Sequence, residues 1–240
     1  MRANMPTSLS ASSLASWRMN SAVATQGISG DHIYAMIDQE IAARRMSGVV
    51  LDYGAGVGNL TRRLLEMPVF SEVVAVDLLP DRPTGLNVSK WLQQDLNESI
   101  PGYDDYFDVI VASEIIEHLE NPRFLARELF RLCRPGGHVI ITTPNNECIR
   151  ALLALAIRGH FVQFDKGWYP GHITPLVRKD LLRVLTEAGF DPIGFRFTDK
   201  GSLPGRPAHT WQEWSFGSLR GLRFSDNLLV SARKPNERES

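Results

Sequence analysis

Residues 51–60, Leu-Asp-Tyr-Gly-Ala-Gly-Val-Gly-Asn-Leu, constrain this chain more than any other stretch. An apolar run, Val49, Val50 and Leu51, ends in Asp52. Gly54, Gly56 and Gly58 follow at alternate positions, and a helical apolar pattern opens at Leu60. A buried strand that passes through a tight glycine turn into a helix sets bare backbone and a helix N-terminus beside a ligand. Glycine suits such a turn because it tolerates positive φ and places no Cβ between backbone and ligand. The stretch implies a site for a nucleotide-like cofactor; a glycine turn with no ligand is the plainer alternative. The dinucleotide fingerprint G-x-G-x-x-G, started at Gly54, would need glycine at 59, where this chain has Asn59.

Around that turn, strand and helix patterns alternate. Helical spacing of Ile33, Met36, Ile37 and Ile41 predicts a helix over 31–45 that leads into a first strand at 49–51. A helix at 60–67 follows, then strands at 73–76, 91–94 and 107–112, a helix at 124–132 and a fifth strand at 138–142. An Arg134-Pro135-Gly136-Gly137 turn precedes that fifth strand. Apolar strands separated by helices imply a mostly parallel sheet covered on both faces, an α/β, Rossmann-like architecture of seven strands. Past Pro144 the pattern gives an apolar helix over 148–157 and an irregular aromatic stretch over 159–175. A helix over 178–188 and strands at 192–197 and 227–232 complete it, with a long Gly-, Pro- and Trp-rich loop or insertion over 201–222. The 240 residues read as one domain over 31–240: a cofactor half at 45–145, a substrate cap at 145–175, and C-terminal strands with an insertion at 190–234. Residues 1–30, which contain no acidic residue, read as a flexible tail.

A net charge of -1 argues against broad adhesion to nucleic acid or anionic membrane, although a local basic patch is compatible with it. Cys133 and Cys148 form neither a metal-like spacing nor a disulfide framework, which favours a reducing, cytoplasmic setting. No apolar run is long enough to span a bilayer.

Two groups of residues carry chemistry. Asp77 ends the second strand at the distance past the glycines where an acid holds ribose hydroxyls, and Asp95 ends the third. On the other side, Ser113-Glu114-Ile115-Ile116-Glu117-His118 begins at the carboxyl end of the fourth strand, where ligands of open α/β sheets bind. If that segment is helical, Glu114, Glu117 and His118 share one face. They could then hold a divalent cation, or supply a general base through His118. Acidic residues complementing a helix dipole are the plainer reading.

The Asp52–Gly58 motif, Asp77, Asp95, the Phe107–Glu114 run and the Arg-Pro-Gly-Gly turn occur in the order found in class I S-adenosylmethionine (SAM) methyltransferases, which the chain resembles. The resemblance covers roughly residues 45–145. It implies SAM as cofactor, held by Asp52, Gly54, Gly56, Gly58, Asp77, Leu78, Asp95, Leu96 and Ser113. Asp95 would accept from the adenine amine, and Asp52 would lie near the amino group of the methionine moiety. The Glu114-x-x-Glu117-His118 run resembles the motif of ubiquinone-pathway O-methyltransferases and small-RNA 2′-O-methyltransferases. There it is associated with a divalent metal, Mg2+ or another, that orients a substrate hydroxyl. His172 is the candidate for a fourth ligand and, with His118, for catalysis. The run Thr143-Pro144-Asn145 and the stretch 171–176 also look like methyltransferases of polysaccharide pathways, so the implied acceptors are a small molecule, a quinol or a glycan hydroxyl. Nucleic acid is the weaker candidate, since no basic run stands out. A non-catalytic SAM-binding regulator and an NAD-dependent oxidoreductase are the rival readings; the latter would share Asp77 but not the Arg-Pro-Gly-Gly turn. For the apolar helix over 148–157, two roles are open: a lid over the acceptor, or plain packing of Leu152, Leu153, Leu155 and Ile157 on the sheet.

Overall fold

A computed structural model describes residues 16, 18, 19, 29–80 and 82–236. The tail expected over 1–30 therefore lies mostly outside the described residues. In chain order the elements are α1 (Asp31–Ala43), β1 (Gly48–Tyr53), α2 (Asn59–Glu66), β2 (Phe70–Asp77), β3 (Lys90–Gln93), β4 (Phe107–Ser113), α3 (Pro122–Leu132) and β5 (Cys133–Pro144). Then come α4 (Ile149–Arg158), α5 (Arg178–Ala188), β6 (Ile193–Phe197), β7 (Ser202–Leu203), β8 (Arg206–Thr210), α6 (Trp211–Trp214) and β9 (Asn227–Arg233). The seven-stranded sheet has the order β3-β2-β1-β4-β5-β9-β6. β3, β2, β1, β4 and β5 run parallel, and β9 is antiparallel to both β5 and β6.

The order reverses between β1 and β4, so the crevice beyond their carboxyl ends is the natural ligand site of such a sheet. Both sheet faces are apolar, which is why the central strands lack polar alternation. On one face Leu51, Val74, Ile110, Val139 and Val230 pack with Leu125 and Leu129 of α3 and Leu181 and Leu185 of α5. On the other, Val50, Val73, Val109, Ile140 and Leu229 pack with Ile33 and Ile37 of α1 and Leu60 and Leu64 of α2.

Two expectations need correction, and one of two open readings fails. The Arg134–Gly137 turn lies inside β5, as a bulge: Phe107 pairs with Cys133 and Val109 already pairs with His138. The glycines absorb that register shift without breaking the strand. The 201–222 insertion is not all loop, since β7 pairs with β8 across a turn containing Gly205 (φ 73). Thr210 and Glu213 then form the capping box of α6. Finally, α4 does not pack its large side chains on the sheet. Ala151 and Ala154 are buried, whereas Leu152, Leu153, Leu155 and Ile157 are exposed.

Candidate functional site

The glycine turn is built as its sequence implies. Gly54 and Ala55 donate their amides to the Val76 carbonyl, which folds the chain back over the end of β2. Gly58 is the N-cap of α2 with φ 79, and a Cβ there would lie 2.2 Å from Leu86 Cδ1. A Cβ on Gly54, at φ 88, would meet Ile115 at 2.9 Å. Two demands, handedness and space, thus exclude side chains from these positions. No side chain caps α2, so its first-turn amides are left without a side-chain acceptor at the N-cap.

Asp77, buried at the end of β2, accepts the Gly56 amide on Oδ2 (2.7 Å) and the Leu79 amide on Oδ1 (2.9 Å). Burial pushes its carboxyl up, against the pull of these amides. Asp52 is buried and accepts from Thr61 Oγ1 at 2.6 Å. Desolvation drives it up to about 7, opposed by that hydroxyl and reinforced by Asp77. Leu78 is half-buried beside Asp77; Leu96 is buried, its carbonyl accepting from the Tyr53 hydroxyl at 3.1 Å. Asp95 takes the Asn97 amide and side-chain nitrogen on Oδ1 and Arg18 Nη1 on Oδ2 at 2.7 Å. Arg18 also reaches Glu120, at 2.9 Å. Sequence reasoning missed Arg18, because a lone basic residue at a separation of 77 positions carries no local signal.

Beyond β4 the chain departs from the expected helix. Ser113 shares a hydroxyl contact with Thr142 (3.0 Å), and only Ile116–His118 forms a single 3-10 turn. Glu114 stands before that turn at φ 51, its amide tied to Thr142, so helical i, i+3, i+4 spacing does not apply. Its Oε2 accepts from Asn227 of β9 at 2.9 Å. Burial raises its carboxyl to about 7.

Among the described residues, one set of ligand-type groups converges with its atoms within 4.8 Å: Glu117, His118 and His172. Glu114 is outside it, so the expected four-residue set becomes three. The convergence comes from the pairing of two segments. Ile173 and Thr174 donate their amides to the Glu117 carbonyl (2.9 and 3.0 Å), and the Thr174 hydroxyl donates to the Leu119 carbonyl at 2.6 Å. His118 Nδ1 lies 3.0 Å from the Gly171 carbonyl, which can only accept; Nδ1 therefore carries the proton and Nε2 keeps a free lone pair. Thr143 Oγ1 donates to Glu117 Oε2 at 3.0 Å, while Oε1 is buried without a partner. His172 Nδ1 is likewise buried and unpartnered.

Burial works against charge on all three groups. Burial, and then the neighbouring Glu114, push Glu117 well above the usual carboxylate range. Burial lowers His118, and burial with the adjacent His118 lowers His172 to about 4. Trp168 and Phe164 flank the His172 ring at 4.7 and 5.5 Å between centroids.

A methyltransferase-domain family model matches residues 33–193. The mitochondrial ubiquinone biosynthesis O-methyltransferase of Dictyostelium discoideum is 28% identical over 205 residues, 77% of this chain and 60% of that protein. The ubiquinone biosynthesis O-methyltransferase of Proteus mirabilis is 30% identical over 116 residues, 45% of this chain and 46% of that protein. The chain thus spans about half to three-fifths of the length of these relatives. Among solved structures, the Burkholderia thailandensis 1,6-didemethyltoxoflavin-N1-methyltransferase with bound S-adenosylhomocysteine aligns with a TM-score of 0.62 at 18% identity. That alignment covers 97% of this chain and 94% of that one. Among the described residues no helix is long and apolar enough to cross a membrane.

Proposed function

The chain belongs to the methyltransferase-domain family and is a SAM-dependent methyltransferase; on that premise we propose that it methylates a hydroxyl oxygen of a small-molecule acceptor at the Glu117–His118–His172 cluster. The carrying observation is that Glu117, His118 and His172 each bring a ligand-type atom within 4.8 Å of the others, while Glu117 Oε1 and His172 Nδ1 are buried without partners and His118 Nδ1 is engaged by Gly171. An orphaned polar atom in a protein interior costs free energy, and two together beside a free imidazole lone pair form a ligand set. One carboxylate and two imidazoles suit Mn2+, Fe2+ or Zn2+ better than Mg2+, which prefers oxygen ligands and water.

A divalent cation held there supplies Lewis acidity that lowers the pKa of an acceptor hydroxyl and orients its oxygen. The remaining work falls to the chain. Gly171 and Thr143 fix the orientation of His118 and Glu117, as outer partners of metal ligands do. The lowered imidazoles stay neutral at pH 7 and are competent as ligands. Glu117 gives up its proton when it binds the cation, so affinity rises with pH. Asp77 serves the ribose hydroxyls, Asp95 the adenine amine, Asp52 the cationic methionine end, and residues 54–58 the backbone cradle. Positioning oxygen, methyl carbon and sulfur in line is then a large share of the catalysis.

The acceptor class rests on the names of the relatives and on Trp168 and Phe164 beside His172, which suit a ring, such as a catechol or a sugar. The test is methyl transfer from SAM to a catechol, read as S-adenosylhomocysteine formed. Chelation should abolish turnover and Mn2+ should restore it. Turnover unaffected by EDTA and by His118→Ala would overturn the metal-assisted reading.

A further inference from the structure

Arg18 is one of only two strongly basic residues among the first thirty, a stretch without an acid, and the fold brings it to the cofactor side of the crevice. Its guanidinium spans two acids. Nη1 donates to Asp95 Oδ2 at 2.7 Å, while Nε and Nη2 reach Glu120 Oε1 and Oε2, each at 2.9 Å. Asp95 follows β3, and Glu120 follows the turn beyond β4. In the sheet order β2 and β1 lie between those strands, a separation of about 14 Å at the usual strand spacing. The two loops therefore meet only by reaching past the ends of β2 and β1, which carry Asp77 and the glycine turn. Asn97 completes the contact: its Oδ1 accepts the Glu120 amide at 3.0 Å, and its own amide donates to Asp95 Oδ1 at 2.9 Å. The Arg18 and Asp95 side chains are 20% and 19% exposed, so this pair is shielded from water as an ordinary surface pair is not.

The donors on Asp95 can be counted. An ionised carboxylate offers about four lone-pair positions. Asn97 takes two on Oδ1, through its amide and its side-chain nitrogen, and Arg18 takes one on Oδ2. Among the described residues, one position on Oδ2 is left. The adenine amine of SAM is a donor and fits it. Arg18 therefore does not block the amine, as it would on a saturated carboxylate. It fixes the direction of the oxygen that must accept, and Glu120 fixes Arg18 in turn.

We propose that Arg18 is a positioning residue of the SAM site, holding Asp95 Oδ2 in place to accept the adenine amine. The proposal rests on the assignment of Asp95 to adenine and is independent of the acceptor and of the cation. The test is calorimetric titration of the full chain with S-adenosylhomocysteine and with its analogue whose purine lacks the 6-amino group. Arg18→Ala should weaken S-adenosylhomocysteine about tenfold and leave the deamino analogue within about twofold of wild type. Arg18→Lys, which keeps the charge without the planar fork, should recover part of the loss. Asp95→Ala should also weaken S-adenosylhomocysteine, and adding Arg18→Ala to it should cost nothing more. Equal weakening of both ligands by Arg18→Ala, or tighter binding of S-adenosylhomocysteine, would overturn the proposal. An Arg18→Ala variant with unchanged affinity, beside a weakened Asp95→Ala, would overturn the role of Arg18 alone. Affinity untouched by Asp95→Ala would remove the adenine assignment and the proposal with it.

Discussion

Replacing Asp52 by asparagine tests the electrostatics of the cofactor side directly. The Asp52 carboxyl is buried, bonded to the Thr61 hydroxyl, and raised to about 7. In the unfolded chain it titrates near 3.9. The folded protein therefore holds a proton that the unfolded chain has released, and stability falls as pH rises from about 4 towards 7, then levels off. At about 1.4 kcal/mol per pH unit, the interval from pH 5 to about 7 amounts to roughly 3 kcal/mol lost to this residue by pH 8. The amide side chain of the Asp52→Asn variant would accept the same hydroxyl and carry no titrating proton. Urea unfolding of wild type and Asp52→Asn at pH 5 and pH 8 isolates the effect, because titrating groups that do not interact with Asp52 cancel in the difference. The stability of the variant relative to wild type should rise by roughly 3 kcal/mol between the two pH values. A relative stability that does not change with pH would mean that Asp52 is ionised in the folded protein, and would refute the reasoning.

Further outcomes follow from the site. Gly58→Ala places a Cβ 2.2 Å from Leu86 at φ 79, and should cost about 1–3 kcal/mol in urea unfolding and weaken SAM binding measured by calorimetry. Glu117→Gln should lower kcat about a hundredfold or more while SAM affinity stays near wild type; a parallel loss of SAM affinity would argue for a structural role instead. Thr143→Val frees Glu117 Oε2 and should weaken Mn2+ binding about 10–100-fold. Because Glu117 is raised well above its usual range, Mn2+ affinity should tighten with rising pH and flatten once Glu117 is ionised. A pH-independent affinity would contradict the assignment.

The parts of this molecule written in short, local patterns were legible in the sequence. Apolar runs between helical repeats gave the parallel core, and the Gly54–Gly58 spacing gave the turn that separates β1 from α2. Asn121-Pro122 shows how near the boundaries lie. The expected start of α3 at 124 moves to Pro122 because Asn121 caps the helix by accepting from the Phe124 amide. What the sequence hid depends on long-range contacts. The Glu114–His118 segment has helical spacing, yet the Glu114 amide is claimed by Thr142, and the left-handed turn at Glu114 removes that residue from the cluster. His172 was placed by a resemblance; its approach to His118 is produced by the Gly171 and Thr174 bonds, invisible from spacing alone. The leucines of α4 have the periodicity of a core helix, and the exposed face results from small residues taking the inner positions.

The central claim is that Glu117, His118 and His172 form a cation site serving the methyl acceptor. Calorimetric titration of Mn2+ into the full chain, wild type and His172→Ala, with SAM affinity measured in parallel, tests it most directly. One Mn2+ site per chain, lost in His172→Ala while SAM still binds, is the expected result. Mn2+ binding unchanged in His172→Ala, or no binding to the wild type, would contradict it.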